Sequence, residues 1–151
     1  MKKLLALLFL FIIFASSCVS TKNTIKNIDD NAAIPQLSTQ NTFILTKISN
    51  NAKYGYDKDY PINVYYKNSK DENLNATRFF NALAGPNGEK IQFQKMESCC
   101  PFPSTHSELG AGFLDVYQIT YVGLSKPKTL YINIYERGLL EAPVGFTIKN
   151  P

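Results

Sequence analysis

The sequence is poor in the residues on which catalytic and cofactor chemistry most often rests. It carries one histidine and three cysteines in 151 residues, and Cys18 stands far from the pair Cys99-Cys100. No Cys-x-x-Cys occurs, so a thioredoxin-like motif is absent. No Gly-x-Gly-x-x-Gly or Walker pattern occurs either, and the short Gly85-Pro-Asn-Gly88 and Gly110-Ala-Gly112 are turn-formers rather than phosphate loops. Lys and Arg outnumber Asp and Glu by 16 to 12, but they are dispersed. Nucleic-acid binding needs a concentrated basic face, so no nucleic-acid partner is expected. No cofactor is expected, and there is no internal repeat.

One apolar run is present, and it gives an address. Lys2 and Lys3 form a positive start, and Leu4 to Phe14 is continuous and apolar, but shorter than the roughly 20 residues a bilayer-spanning helix needs. Ala15-Ser16-Ser17 and then Cys18 follow. Residues 1–17 read as a removable signal peptide, and the run into Cys18 resembles the lipobox of bacterial lipoproteins, which implies an acylated Cys18 as the first residue of the mature chain, although Ala15 stands where such sites more often have Leu; ordinary secretory cleavage at the same place would leave Cys18 a free thiol. Two or more acyl chains hold a protein stably to a membrane. The expected localisation is therefore the cell envelope, lipid-anchored to a membrane on the periplasmic side or at the outer membrane. Removing Lys2 and Lys3 takes the formal charge from +4 to +2 (4 − 2). Residues 18–41 read as lipidated cysteine and flexible tether, polar and free of aromatics, with a typical end-to-end distance on the order of 25 Å. Asp29-Asp30 is too small an acidic group to be assigned a role.

Residues 42–151 read as a single α+β domain: a mostly antiparallel sheet of five to six strands with one helix packed on a face. Thr42 to Ile48 is β-branched and apolar, a first strand, and Ile62 to Tyr66 a second. The spacing of Ala76, Phe79, Phe80 and Leu83 predicts a helix over 74–84, with Asn73 as N-cap and a stop at Gly85-Pro86. Glu89 to Glu97 alternates as a half-exposed strand. Phe113 to Val122 is apolar on both faces, which predicts a central strand, and Thr129 to Tyr135 returns as its hairpin partner. Val144 to Lys149 supplies a last edge strand.

The chemically able residues gather between Glu97 and Tyr117. Adjacent Cα atoms lie about 3.8 Å apart across a trans peptide, less than a relaxed disulfide prefers. Pro101 disfavours a helical Cys100, and an extended backbone would turn the two thiols to opposite faces. With Cys18 acylated, the pair can form a vicinal bridge, bridge to another molecule, or stay buried as thiols. A nucleophilic site of Cys99 or Cys100 with His106 as base and Asp115 as orienter is available in residue type; the plainer expectation is an exposed His106 without a duty. Asp115, if buried, needs a partner, with Arg78 or a tyrosine hydroxyl as candidates. Metal ligands would come from Cys99, Cys100, His106, Glu108 or Asp115. Only three nitrogen or sulfur donors exist, two of them side by side, where structural zinc takes four, so no metal site is expected. Tyr54, Tyr56 and Tyr60 lie in a turn-rich loop and could form a stacking platform for a ligand. Asp57 and Asp59 lack the further oxygens of a calcium loop.

Five stretches together, YGYDKDYP at 54–61, RFFNALAGPNG at 78–88, SCCPFP at 98–103, GAGFLDVY at 110–117 and APVGF at 142–146, resemble a group of small bacterial lipoproteins. The resemblance covers nearly all of the expected domain and implies a shared fold and location. Some members carry the label 2-dehydro-3-deoxyphosphooctonate aldolase, an enzyme that resembles a (β/α)8 barrel of about 250 residues; residues 42–151 are too short for one and lack its alternating pattern. The reading that follows is a membrane-anchored envelope lipoprotein acting as a binding or structural module with a protein or small-molecule partner. A thiol-based redox enzyme or hydrolase using Cys99 and Cys100 is the alternative.

Overall fold

The computed structural model describes residues 23–64 and 71–149. The expected signal peptide, Cys18, and Tyr65-Tyr66 at the end of the second expected strand lie outside the described residues. The elements are β1 (Ile62–Asn63), α1 (Leu74–Asn81), β2 (Leu83–Ala84), β3 (Gln92–Pro103), β4 (Ala111–Thr120), β5 (Lys128–Asn133) and β6 (Thr147–Ile148). The fold is α+β, with one four-stranded sheet in the order β1-β5-β4-β3 and a two-stranded ribbon of β2 and β6.

β4 is apolar on both faces because both faces are covered. It lies antiparallel between β3 and β5, while β1 joins β5 in parallel, Ile62 opposite Ile132, which makes the sheet mixed. Side chains alternate along a strand, so Tyr117 and Ile119 face one way and Leu114 the other. The first face meets α1. The Phe80 ring lies 4.7 Å from that of Phe93 and 4.8 Å from that of Tyr117, with Phe79, Ile62, Leu130 and Ile132 buried in the same core. Leu114 and Phe102 form a second, smaller core with Ile25, against which both cysteines, Tyr131 and Tyr135 pack.

Ile25 belongs to the segment expected as a tether, and from residue 23 onward that segment is part of the domain. Ile25 and Ala32 are buried. The Lys26 N–H donates to the Asp59 carbonyl and the Asp29 N–H to the Arg137 carbonyl, each at 2.8 Å. The Asn27 amide donates to the Pro61 carbonyl at 2.7 Å. A polar segment with two well-separated apolar anchors has no periodicity to announce it, and backbone hydrogen bonds seat the rest.

Other boundaries shift for identifiable reasons. Thr42 to Ile48 is no strand of the sheet: only isolated bridges form, Phe43 with Leu37 and Ile48 with Ala142. Phe43 and Leu45 are buried while the Phe43 N–H turns to the Arg78 carbonyl of α1 at 3.3 Å. The helix ends at Asn81 rather than Ala84, because Leu83 and Ala84 pair with Ile148 and Thr147. The expected last strand is thereby drawn into the ribbon and away from the main sheet. Asn73 holds the N-cap position but makes no side-chain capping bond. The left-handed glycine of the following turn is Gly88, at φ 87°, rather than Gly85.

The largest shift concerns β3, which runs on through Cys99-Cys100-Pro101 to Pro103 instead of ending at Glu97. Register shifts between Lys95 and Glu97 and between Cys99 and Phe102 mark bulges. β3 is the last strand in the sheet order, and an edge strand with a bulge is where proline is tolerated. The true loop is short, from Ser104 to Gly110. Among the described residues, no helix is long and apolar enough to cross a membrane.

Candidate functional site

The loop at 104–110, the turn after β5 and the N-terminal arm converge around a cleft of about 630 Å³. Its frame is a buried amide pair. Asn133, at the end of β5, donates its side-chain amide to Asn63 Oδ1 at 2.9 Å, and Asn63 passes its own amide to the Asn27 carbonyl of the arm, also at 2.9 Å. Asn133 Oδ1 accepts the N–H groups of Tyr135 at 2.9 Å and Glu136 at 3.3 Å. Each bond of this kind contributes about 1 kcal/mol net, and leaving a buried amide unpaired costs more. The pair thus sets the turn that carries Glu136 and the arm that carries Asp30. A second clamp runs from the Arg137 guanidinium to the Asp30 carbonyl at 3.0 Å.

Into this frame the 104–110 loop brings the single histidine. The Ser104 N–H donates to the Gly110 carbonyl at 3.1 Å and closes the loop. The Ser104 hydroxyl, near the base of the cleft, accepts the His106 N–H at 3.1 Å. His106 Nδ1 then lies 3.0 Å from Glu136 Oε2. The Glu136 side chain is only 6% exposed, against 53% for His106. Donor atoms of Asp30, His106 and Glu136 all fall within 4.8 Å of one another. This trio pairs one expected candidate with two residues that carried no signal in the sequence. Glu136 stands 30 residues from His106, and only the fold closes that gap.

The other candidates lie elsewhere. Cys99 and Cys100 form a disulfide with Cα atoms 3.8 Å apart. Cys100 is not extended as expected: its φ of 56° is left-handed, a conformation that costs an L-residue roughly 1–2 kcal/mol and that turns the second sulfur back toward the first. The bridge packs against the second core, and it removes both thiols from nucleophilic and metal-ligating chemistry while closed. Asp115 is buried at 3% exposure on the opposite, helix-bearing face. Its Oδ1 accepts the Ser98 hydroxyl and meets the Lys95 ammonium, each at 2.7 Å. Neither expected partner serves it, since Arg78 bonds Asn41 and Asn75 instead. His106 is engaged by Glu136 and Asp115 by Ser98 and Lys95, so the relay from cysteine through His106 to Asp115 is not assembled.

The tyrosine loop is committed to the fold more than to a ligand. Tyr54 is buried; its hydroxyl donates to the Leu139 carbonyl at 3.1 Å and accepts the Glu141 N–H at 3.2 Å, and burial pushes its ionisation well above the ordinary tyrosine range. Tyr54 therefore offers no face for stacking. Tyr56 donates to the Val144 carbonyl at 2.7 Å, and desolvation by burial pushes its pKa up to about 12. Tyr60 is half-buried, and Lys26 and Lys53 lie over its ring at 5.6 and 5.7 Å. Glu108 lines the cleft beside His106.

No protein-family profile, curated protein or solved structure matches this chain.

Proposed function

We propose that this protein is a membrane-anchored lipoprotein of the cell envelope whose domain is a binding module, with the cleft between the N-terminal arm and the 104–110 loop as its ligand seat. The observation that carries this reading is the placement of Glu136, a nearly buried carboxylate, at a cleft roomy enough for a small polar ligand or a peptide side chain. Burying a carboxylate is costly unless it is paired, and here the partner, His106, lines the same concave surface. The closed disulfide supports a binding role over thiol hydrolysis, and the small fold gives no support to the aldolase label.

The anchor and the cleft are close along the chain. Asn23 lines the cleft and lies five positions along the chain from Cys18 (23 − 18). An extended chain spans at most about 3.5 Å per residue. An acylated Cys18 would hold the cleft within roughly 18 Å of the membrane surface, so its ligand belongs to that surface or passes along it.

Two measurements test the reading. Cys18→Ala should move the protein from the membrane fraction to the soluble one; persistent membrane association would overturn the anchor. In a strain lacking the gene, the chain carrying Thr105→Trp, which fills the cleft from an exposed loop position, should fail to restore the phenotype, while Cys99→Ser/Cys100→Ser should restore it. The reverse pattern would favour the thiol enzyme.

A further inference from the structure

We propose that Asp30, His106 and Glu136 form a binding site for a single divalent cation of the zinc type, with its remaining coordination positions open to the cleft. The proposal deepens the binding reading above, because it says how that cleft would hold an electron-rich ligand.

The donor set comes first. One imidazole nitrogen and two carboxylates suit zinc, which takes His nitrogen and Asp or Glu oxygen at about 2.0–2.2 Å and, with three protein ligands, keeps a fourth position for water or ligand. Hard cations such as calcium prefer six or more oxygens, more than this trio supplies. The donor atoms already lie within 4.8 Å of one another, with His106 Nδ1 and Glu136 Oε2 at 3.0 Å. Around one tetrahedral zinc, neighbouring donors stand roughly 3.3–3.5 Å apart. Glu136 is fixed by burial, whereas Asp30 and His106 are exposed and can close the remaining distance by side-chain rotation alone.

Charge points the same way. Glu136 and Asp30 are two carboxylates, and their imidazole neighbour is positive only when protonated. The two carboxylates meet around a nearly buried oxygen, and a divalent cation would balance their charge. The backbone is positioned without any ion. The Asn63–Asn133 pair sets Glu136, the Arg137 bonds hold Asp29 and Asp30 against the same turn, and Ser104 closes the loop behind His106. These bonds set the backbone that carries each ligand and use none of the donor atoms that would meet the ion.

The test uses the full-length chain in detergent, purified without a histidine tag and stripped with chelator, titrated calorimetrically with zinc chloride and separately with calcium chloride. The expected result is one zinc per chain, no saturable calcium binding, and at least tenfold weaker zinc binding in His106→Ala and in Asp30→Asn, with both variants still folded at the titration temperature. Cobalt substituted for zinc should give visible absorption bands that both variants lose. Absence of saturable zinc binding, or zinc binding unchanged in both variants, would overturn the site. If zinc fails to bind while Thr105→Trp still abolishes function, the ion site is wrong and the binding cleft stands. If zinc binds as expected while Thr105→Trp restores the phenotype fully, the ion site stands and the binding reading falls.

Discussion

Asn133 donates to Asn63 at 2.9 Å across the parallel β1–β5 pair, and both side chains are almost fully buried. Through this one bond the end of β5, the arm and the Glu136 turn share a single hydrogen-bonded unit. Asn133→Ala removes a donor and the acceptor of two backbone N–H groups at once. Buried polar groups left without partners cost about 1–3 kcal/mol, so the variant should lose roughly 3 kcal/mol of stability in urea unfolding, judged from the midpoint at unchanged slope. A loss below about 0.5 kcal/mol, the range of ordinary surface substitutions, would show that the pair is not the frame of the cleft.

Gly138 lies where the arm crosses that unit. A Cβ there would come within 2.7 Å of the Asn63 amide nitrogen and 2.8 Å of the Asn27 carbonyl oxygen. The latter is backbone and cannot swing aside. Gly138→Ala should lift the arm from the sheet and expose Ile25, seen as faster amide hydrogen exchange at Lys26 and Asp29, whose N–H groups are bonded to the domain at 2.8 Å. Exchange at Ile119, in the main core, should stay slow. Equal acceleration at both places would mean general destabilisation instead of a detached arm.

The class of fold was legible because long periodic segments carry it. The helix was marked by Phe79 and Phe80, and β4 by apolar residues on both faces, and these two elements hold the main core. The short pairings were not legible, since two-residue strands such as Leu83–Ala84 and Thr147–Ile148 have no period of their own and exist only because the fold brings them together. The arm was hidden by polarity, because hydrogen bonds from its backbone do much of the seating and backbone has no sequence. At the candidate site, residue type pointed to His106 but could not supply its neighbours. Asp30 and Glu136 are ordinary surface-type residues in sequence, and only the close of the sheet end over the arm makes them ligand candidates. Pro101 suggested splayed cysteines; the bulge and the left-handed Cys100 reversed that expectation.

The cysteine bridge makes a prediction that separates it from the two alternatives open in the sequence. Intact protein denatured under acid and alkylated without reductant should show no label on Cys99 or Cys100. After reduction both should be labelled, with no change in oligomer size. Labelling before reduction would mean free thiols, and a fall from dimer to monomer on reduction would mean a bridge between chains. Because both cysteines are half-buried against the cluster of Ile25, Phe102 and Leu114, loosening the arm should expose the bridge, so Gly138→Ala should speed its reduction in the native protein.

The tyrosines predict how the fold fails in alkali. Burial pushes the Tyr117 phenol up to about 12, helped by the negative charge of Asp115 on the same face, and burial likewise raises Tyr56 to about 12 and Tyr54 further. An acid whose folded pKa lies above its unfolded value near 10 binds its proton more tightly in the folded state. The stability this contributes is fully present below about pH 10 and is lost as the pH rises from about 10 through about 12. The urea midpoint should therefore be level across neutral pH and fall through that alkaline window, with tyrosinate absorbance appearing together with unfolding. Tyr117→Phe keeps the ring against Phe80 at 4.8 Å in the parent structure and removes one titrating group, so its alkaline fall should be shallower. An equally steep fall in Tyr117→Phe would place the alkaline sensitivity on Tyr54 and Tyr56, at the loop that packs against Leu139 and Val144, and away from the helix-covered face.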